Sequence, residues 1–134
     1  MKHRKSITFR FVLTVSIIFA VVFILSLWIQ IKTYQDVEKL SESLKEMHTL
    51  VTAEEYEKSL EAYYDIRDLW DSHKDRWYYY LNHTVIKETD LCIVRIGAYL
   101  ENEQYGDAIA EEAALLQLLH EVKNRDIPLP HNMV

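Results

Sequence analysis

Residues 37–51, VEKLSESLKEMHTLV, place Val37, Leu40, Leu44, Met47 and Val51 at intervals of 3, 4, 3 and 4. On a helix of 3.6 residues per turn this is one apolar stripe along an otherwise charged cylinder. The segment is therefore read as a helix that packs against others. It covers only about two heptads, too few for a coiled coil, so packing inside a domain is its expected use.

On the N-terminal side, Phe11 to Ile31 carry no charge. A helix of that length spans roughly 30 Å, the thickness of the hydrocarbon layer. Trp28 and Tyr34 sit where interfacial aromatic rings prefer to lie. A cleaved signal peptide would need a small-x-small site, and Ser26-Leu27-Trp28-Ile29-Gln30-Ile31 offers none. We read 11–31 as an uncleaved transmembrane anchor in contact with the lipid bilayer. Lys2, Arg4, Lys5 and Arg10 precede it, against Lys32, Lys39 and Lys45 after it. That bias places the N-terminus in the cytoplasm and the rest of the chain outside. The stripe at Val37 begins six residues after Ile31, so the anchor can run into the domain as one helix.

On the C-terminal side, Thr52-Ala53-Glu54-Glu55 reads as a capping box that starts a second helix. Tyr56, Leu60, Tyr63, Trp70, Trp77 and Leu81 line one face of that helix, over 52–82, making it the longest element expected beyond the membrane. Ile86, Thr89, Ile93, Ile96 and Leu100 mark a third helix, in which Gly97 permits a close approach. Tyr105, Ile109, Ala113, Leu116 and Leu119 mark a fourth. Glu55 to Leu60 and Gln104 to Ile109 share an aromatic-x-x-small-apolar core at an offset of 49, which hints at a degenerate helical repeat. Only two Gly and two Pro occur, and both Pro fall in Ile127-Pro128-Leu129-Pro130, so short strands with tight hairpins are excluded. The expected fold is all-α: an N-terminal transmembrane helix followed by a bundle of about four antiparallel helices. Its divisions are a basic cytoplasmic tail (1–10), the membrane helix (11–31), the bundle (32–125) and an extended C-terminal tail (126–134).

Charge and motifs restrict function. The chain has 15 Lys and Arg against 21 Asp and Glu, and four of the basic residues lie before Ile31, where there is no acid. The remainder is 11 against 21, a formal −10, which argues against nucleic acid as a partner. Two isolated glycines cannot build a phosphate loop, and GxSxG, HExxH and CxxC are all missing from the sequence. His48, His73, His83 and His120 fall on different helices, and no cofactor or metal is implied. Cys92 has no second cysteine to pair with and reads as a small apolar residue. Asn82-His83-Thr84 matches an N-glycosylation sequon.

The residues singled out for binding are aromatic. Trp70 and Trp77, seven apart, read first as core and second as the wall of a groove. Tyr78-Tyr79-Tyr80 point in different directions on a helix and cannot all face one core, so at least one reaches a surface or a partner. His83 and Arg95 are candidates for a polar link between the second and third helices, with Arg95 reaching Asp75 or Glu88.

Trp70 and Trp77, Asn82-His83, Ile86, Arg95-Ile96 with Tyr99-Leu100, the Leu115–His120 run and the closing Leu129-Pro130-His131-Asn132-Met133-Val134 together resemble a family of short bacterial proteins, mostly from Firmicutes, catalogued as domain of unknown function 4363. Two departures stand out: Thr84-Val85 replaces an acid usual after the Asn-His pair, and the family's late His falls one place after His120. The resemblance implies a bacterial envelope protein and brings no activity with it. The expectation is a non-enzymatic, membrane-tethered interaction domain, working through a protein partner or self-association. Rival readings are a ligand-binding or sensory module using the aromatic face of 52–82, and a metal-dependent enzyme around His83 and His120.

Overall fold

The structure, a computed structural model, describes residues 2–125, with side chains from Ile7 to Asn124. Among these residues there are four helices and no strand: α1 (Lys2–Thr52), α2 (Tyr56–Trp77), α3 (His83–Glu101) and α4 (Tyr105–Arg125). The extended tail expected over 126–134 lies outside the described residues. The apolar segment 11–31 and the stripe at Val37 belong to one uninterrupted helix, so α1 is the longest element, about 76 Å for its 51 residues. Residues 2–10 form its first turns.

The two halves of α1 are solvated differently. From Ile7 to Ile31 its large apolar side chains other than Val15 and Ile29 are exposed: Phe11, Phe19, Phe23 and Ile24 each keep more than three-fifths of their surface open. From Thr33 onward the stripe Val37, Leu40, Leu44, Met47 and Val51 is buried against the other helices. Each helix of the bundle packs against two neighbours, α1 on α2 and α4, and α3 on α2 and α4. This is an up-down-up-down square of four.

The capping box at Thr52 does not form. Thr52 is still in α1, where its hydroxyl donates to the His48 carbonyl at 2.8 Å. Helix α2 starts at Tyr56 behind Glu55, whose side chain makes no capping bond. The chain turns instead through a Schellman motif. The Glu55 N–H reaches back to the Leu50 carbonyl at 2.9 Å and the Glu54 N–H to the Val51 carbonyl at 3.1 Å, with Glu54 at φ 58°. At the other end α2 stops at Trp77, so Tyr78, Tyr79 and Tyr80 form a turn rather than the end of a helix over 52–82. Asn82 then caps α3, its side chain accepting the Thr84 N–H at 2.9 Å. Asn82-His83-Thr84, a sequon by pattern, is thus a helix start.

The hint of a repeat corresponds to a structural duplication. The turn between α3 and α4 copies that between α1 and α2 at an offset of 49, the separation of Tyr56 from Tyr105. Gln104 N–H bonds the Tyr99 carbonyl, Glu103 N–H bonds the Leu100 carbonyl, and Glu103 stands at φ 57°. The buried positions repeat in the same register: Val37 with Ile86, Leu44 with Ile93, Met47 with Ile96, Val51 with Leu100, Ser59 with Ala108, Ile66 with Leu115 and Trp70 with Leu119. The equivalent Tyr56 and Tyr105 stack on each other, ring centroids 3.7 Å apart and 7° from parallel. The bundle is therefore two helical hairpins related by an approximate two-fold axis that runs through this stack.

Side-chain size is divided unequally across that axis. Gly97 of α3 lies under the Tyr63 ring of α2. At the equivalent crossing of α1 and α4, His48 occupies the glycine's place and Glu112 the tyrosine's, with His48 Nδ1 3.1 Å from Glu112 Oε2. Glu112 also explains a wrong register. The expected face of α4 is Tyr105, Ile109, Ala113, Leu116 and Leu119, whereas the buried positions are Ala108, Glu112, Leu115, Leu119 and Val122, with Leu119 alone common to both. An acid in the middle of the true stripe breaks the apolar pattern by which a helix face is read.

Candidate functional site

Helices α2 and α4 run antiparallel to α1, so the end of α2, the start of α3 and the end of α4 gather beside the junction of the two halves of α1. Asp36, five residues after Ile31, accepts from Arg76 Nη1 at 2.8 Å and lies 3.4 Å from His73 Nε2, tying α2 to α1. Lys123 of α4 pairs with Glu38 and sits 4.8 Å from the centroid of the Tyr34 ring. Three helices are clamped here, at the height where α1 leaves its apolar segment.

Trp70 and Trp77 are core residues, 2% and 1% exposed, in an edge-to-face pair with centroids 5.1 Å apart. The structure thus removes both from a binding surface. Trp70 Nε1 donates to Asp90 at 2.8 Å, whereas Trp77 Nε1 has no hydrogen-bond partner among the described residues. The three tyrosines that follow are all exposed: Tyr79 by 82%, Tyr78 and Tyr80 by about half as much. His83 packs its ring against Tyr78, centroids 5.4 Å apart, and holds the corner between α2 and α3 by an aromatic contact. Arg95 does not share that corner. Its Nη1 donates to Glu111 of α4 at 3.2 Å, replacing the expected acids Asp75 and Glu88, because Arg95 lies on the face that α3 turns to α4. His83 and Arg95 therefore make two separate links.

A shallow groove runs along the outer junction of α3 and α4, lined by Leu91, Cys92, Arg95, Glu111, Gln117 and Leu118 among others. Leu91 and Val94 stand about half exposed beside it. Burial, with the hydrogen bond to Glu111, pushes the Cys92 thiol up to about 11. At neutral pH it stays protonated and is a poor nucleophile. The groove has no aromatic wall, so it differs from the pocket expected along 52–82.

The buried carboxyl of Glu112 is raised above the ordinary carboxylate range by desolvation, an effect that His48 partly offsets. His120, by contrast, is exposed and close to Asn124, 2.9 Å away. Among the described residues no three His, Cys, Asp or Glu side chains converge as a metal site would require. The neighbouring His–acid pairs, His48 with Glu112 and His73 with Asp36, join helices. Sequence patterns missed the first because neither member has an interpretable spacing with the other.

A family model described as Domain of unknown function (DUF4363) matches residues 27–132. No curated protein and no solved structure matches the chain. The match begins at Leu27, four residues before the apolar half of α1 ends, and takes in the whole bundle.

Proposed function

As this match covers most of its length, the chain belongs to the DUF4363 family, and we propose that it is a membrane-tethered helical interaction module of the cell envelope. Residues 11–31 cross the bilayer, the N-terminus is cytoplasmic, and the bundle stands on the outer side and binds a protein partner or a second copy of itself. The observation that carries this reading is α1. It is the one described helix long and apolar enough to cross a membrane, and the apolar window is wholly unburied. An apolar surface of this kind, with no cover inside the chain, requires an apolar surrounding. The basic residues Lys2, Arg4, Lys5 and Arg10 support the orientation. The exposed Leu91 and Val94 beside the α3–α4 groove support docking on that face.

Two measurements on intact cells test the reading. A membrane-impermeant maleimide should label Glu103→Cys, in a Cys92→Ala background, without lysis; labelling only after lysis would reverse the orientation. Photo-crosslinking from a benzoylphenylalanine at position 91 should give an adduct of defined mass that a probe at Glu57, on α2, does not give. If neither position 91 nor position 94 yields an adduct, the interaction reading fails.

A further inference from the structure

We propose that the exposed corner Tyr78-Tyr79-Tyr80 is a second membrane contact, seated in the headgroup layer of the same bilayer that α1 crosses. The proposal rests on the reading of α1 as a membrane helix. Its own support is the height of the corner. Ile31 closes the apolar segment, and Asp36 lies five residues beyond, about 7–8 Å along the axis. The interfacial layer on each side of the hydrocarbon is about 5–8 Å thick. Arg76, bonded to Asp36, fixes α2 at this height. Because α2 runs antiparallel to α1, the residues after Arg76 descend further toward the bilayer.

Burial agrees with that position. Thr33, two residues after the apolar segment, is already 1% exposed, so the bundle starts at the membrane surface with no stalk between them. At this end Trp77 and Leu81, on either side of the corner, are buried, while the three tyrosines between them turn outward. A tyrosine has an apolar ring and a polar tip, the composition of side chains that settle at a bilayer interface. Tyr79 stands furthest out, and Tyr78 and Tyr80 flank it with about half its exposure, so the corner carries this chemistry on all three of its side chains. The opposite end of the bundle is built differently: Glu54, Glu55, Glu57, Glu101 and Glu103 are exposed around the two Schellman turns. An acidic crown is repelled by anionic lipid and an aromatic foot is drawn to the interface, so both ends favour the same upright stance.

The test uses the full-length chain in nanodiscs of phosphatidylcholine and phosphatidylglycerol, with Cys92→Ala and single nitroxide labels at Tyr79→Cys, Phe19→Cys and Glu103→Cys. Collision with lipid-soluble oxygen and with a water-soluble nickel chelate is read for each label by electron spin resonance. The Phe19 site should favour oxygen strongly, the Glu103 site should favour nickel, and the Tyr79 site should shift severalfold from the Glu103 value toward the Phe19 value. A Tyr79 label as open to nickel as the Glu103 label, with Phe19 still in lipid, overturns the proposal and leaves the tether intact. A Phe19 label open to water would overturn the tether and the proposal together. Tyr79→Trp in a Trp28→Phe chain gives an independent measure: headgroup-proximal brominated lipid should quench its emission more than that of the Trp28→Phe chain alone, which holds the same Trp70 and Trp77, and equal quenching in the two counts against the contact.

Discussion

Replacing Gly97 by Ala tests the packing between the two hairpins at its tightest point. A Cβ at this position would fall 2.2 Å from Cζ and Oη of Tyr63 and 2.6 Å from Cε1. Ordinary contact would require the ring to retreat by more than 1 Å, and the ring is 2% exposed inside a close-packed core. Overpacking of this kind costs about 1–3 kcal/mol. Alanine also returns about 0.8–1 kcal/mol of helix propensity over glycine. Because a buried ring must move by more than 1 Å, the overpacking falls at the upper end of its range, about 2–3 kcal/mol. The balance is a net loss of about 1–2 kcal/mol, or roughly 4–16 °C in the melting temperature of a domain of this size. The melt is best followed in detergent micelles through the fluorescence of Trp70 and Trp77, which are buried in the bundle. The decisive comparison is the same substitution in a Tyr63→Leu chain. With the ring gone, Gly97→Ala should become neutral or stabilising. A Gly97→Ala chain as stable as the parent, or equally destabilised in both backgrounds, would refute the account.

Other substitutions check other parts of the bundle. Trp70→Phe loses a hydrogen bond to Asp90, whereas Trp77→Phe removes a donor that has no partner, so the first should cost about 1–2 kcal/mol more in a thermal melt. Glu54→Gly and Glu103→Gly relieve a left-handed backbone that a side chain disfavours, and each should raise stability by about 1 kcal/mol. Glu112 has its folded pKa raised, so its protonated form is the one that suits the fold. The stability it lends is complete below the ordinary carboxylate value and is lost as pH rises through the raised one. Glu112→Gln should therefore melt higher than the parent near pH 8 and converge with it toward pH 4; no difference at pH 8 would refute the burial cost assigned to the carboxylate.

The sequence disclosed helices where their apolar spacing was clean and their ends where the turn chemistry was conventional. The stripes at Val37–Val51 and Ile86–Leu100 are buried residue for residue as spacing implied. α4 was misread because Glu112 occupies a core position that only a partner 64 residues away makes tolerable. Both Schellman turns were hidden because glutamate fills the place usually held by glycine. The capping pattern at Thr52 then drew the start of α2 four residues too early. Trp70 and Trp77 were read first as core and are core; the exposure of the tyrosines after them followed from there being three in a row. The link from Arg95 to Glu111 depended on which face of α3 meets α4, a tertiary fact that no local spacing encodes.

The approximate two-fold relation between the hairpins has a consequence for assembly. An interface made of two equivalent elements is isologous even when both belong to one chain. The contacts that close the first hairpin onto the second within a molecule can be made as well with the second hairpin of a neighbour. The corner from Tyr78 to Asn82 decides between these outcomes, by being long enough to turn the second hairpin back onto the first. Shortening it would block that return and invite two chains to exchange halves, forming a swapped dimer from the contacts already present in one molecule.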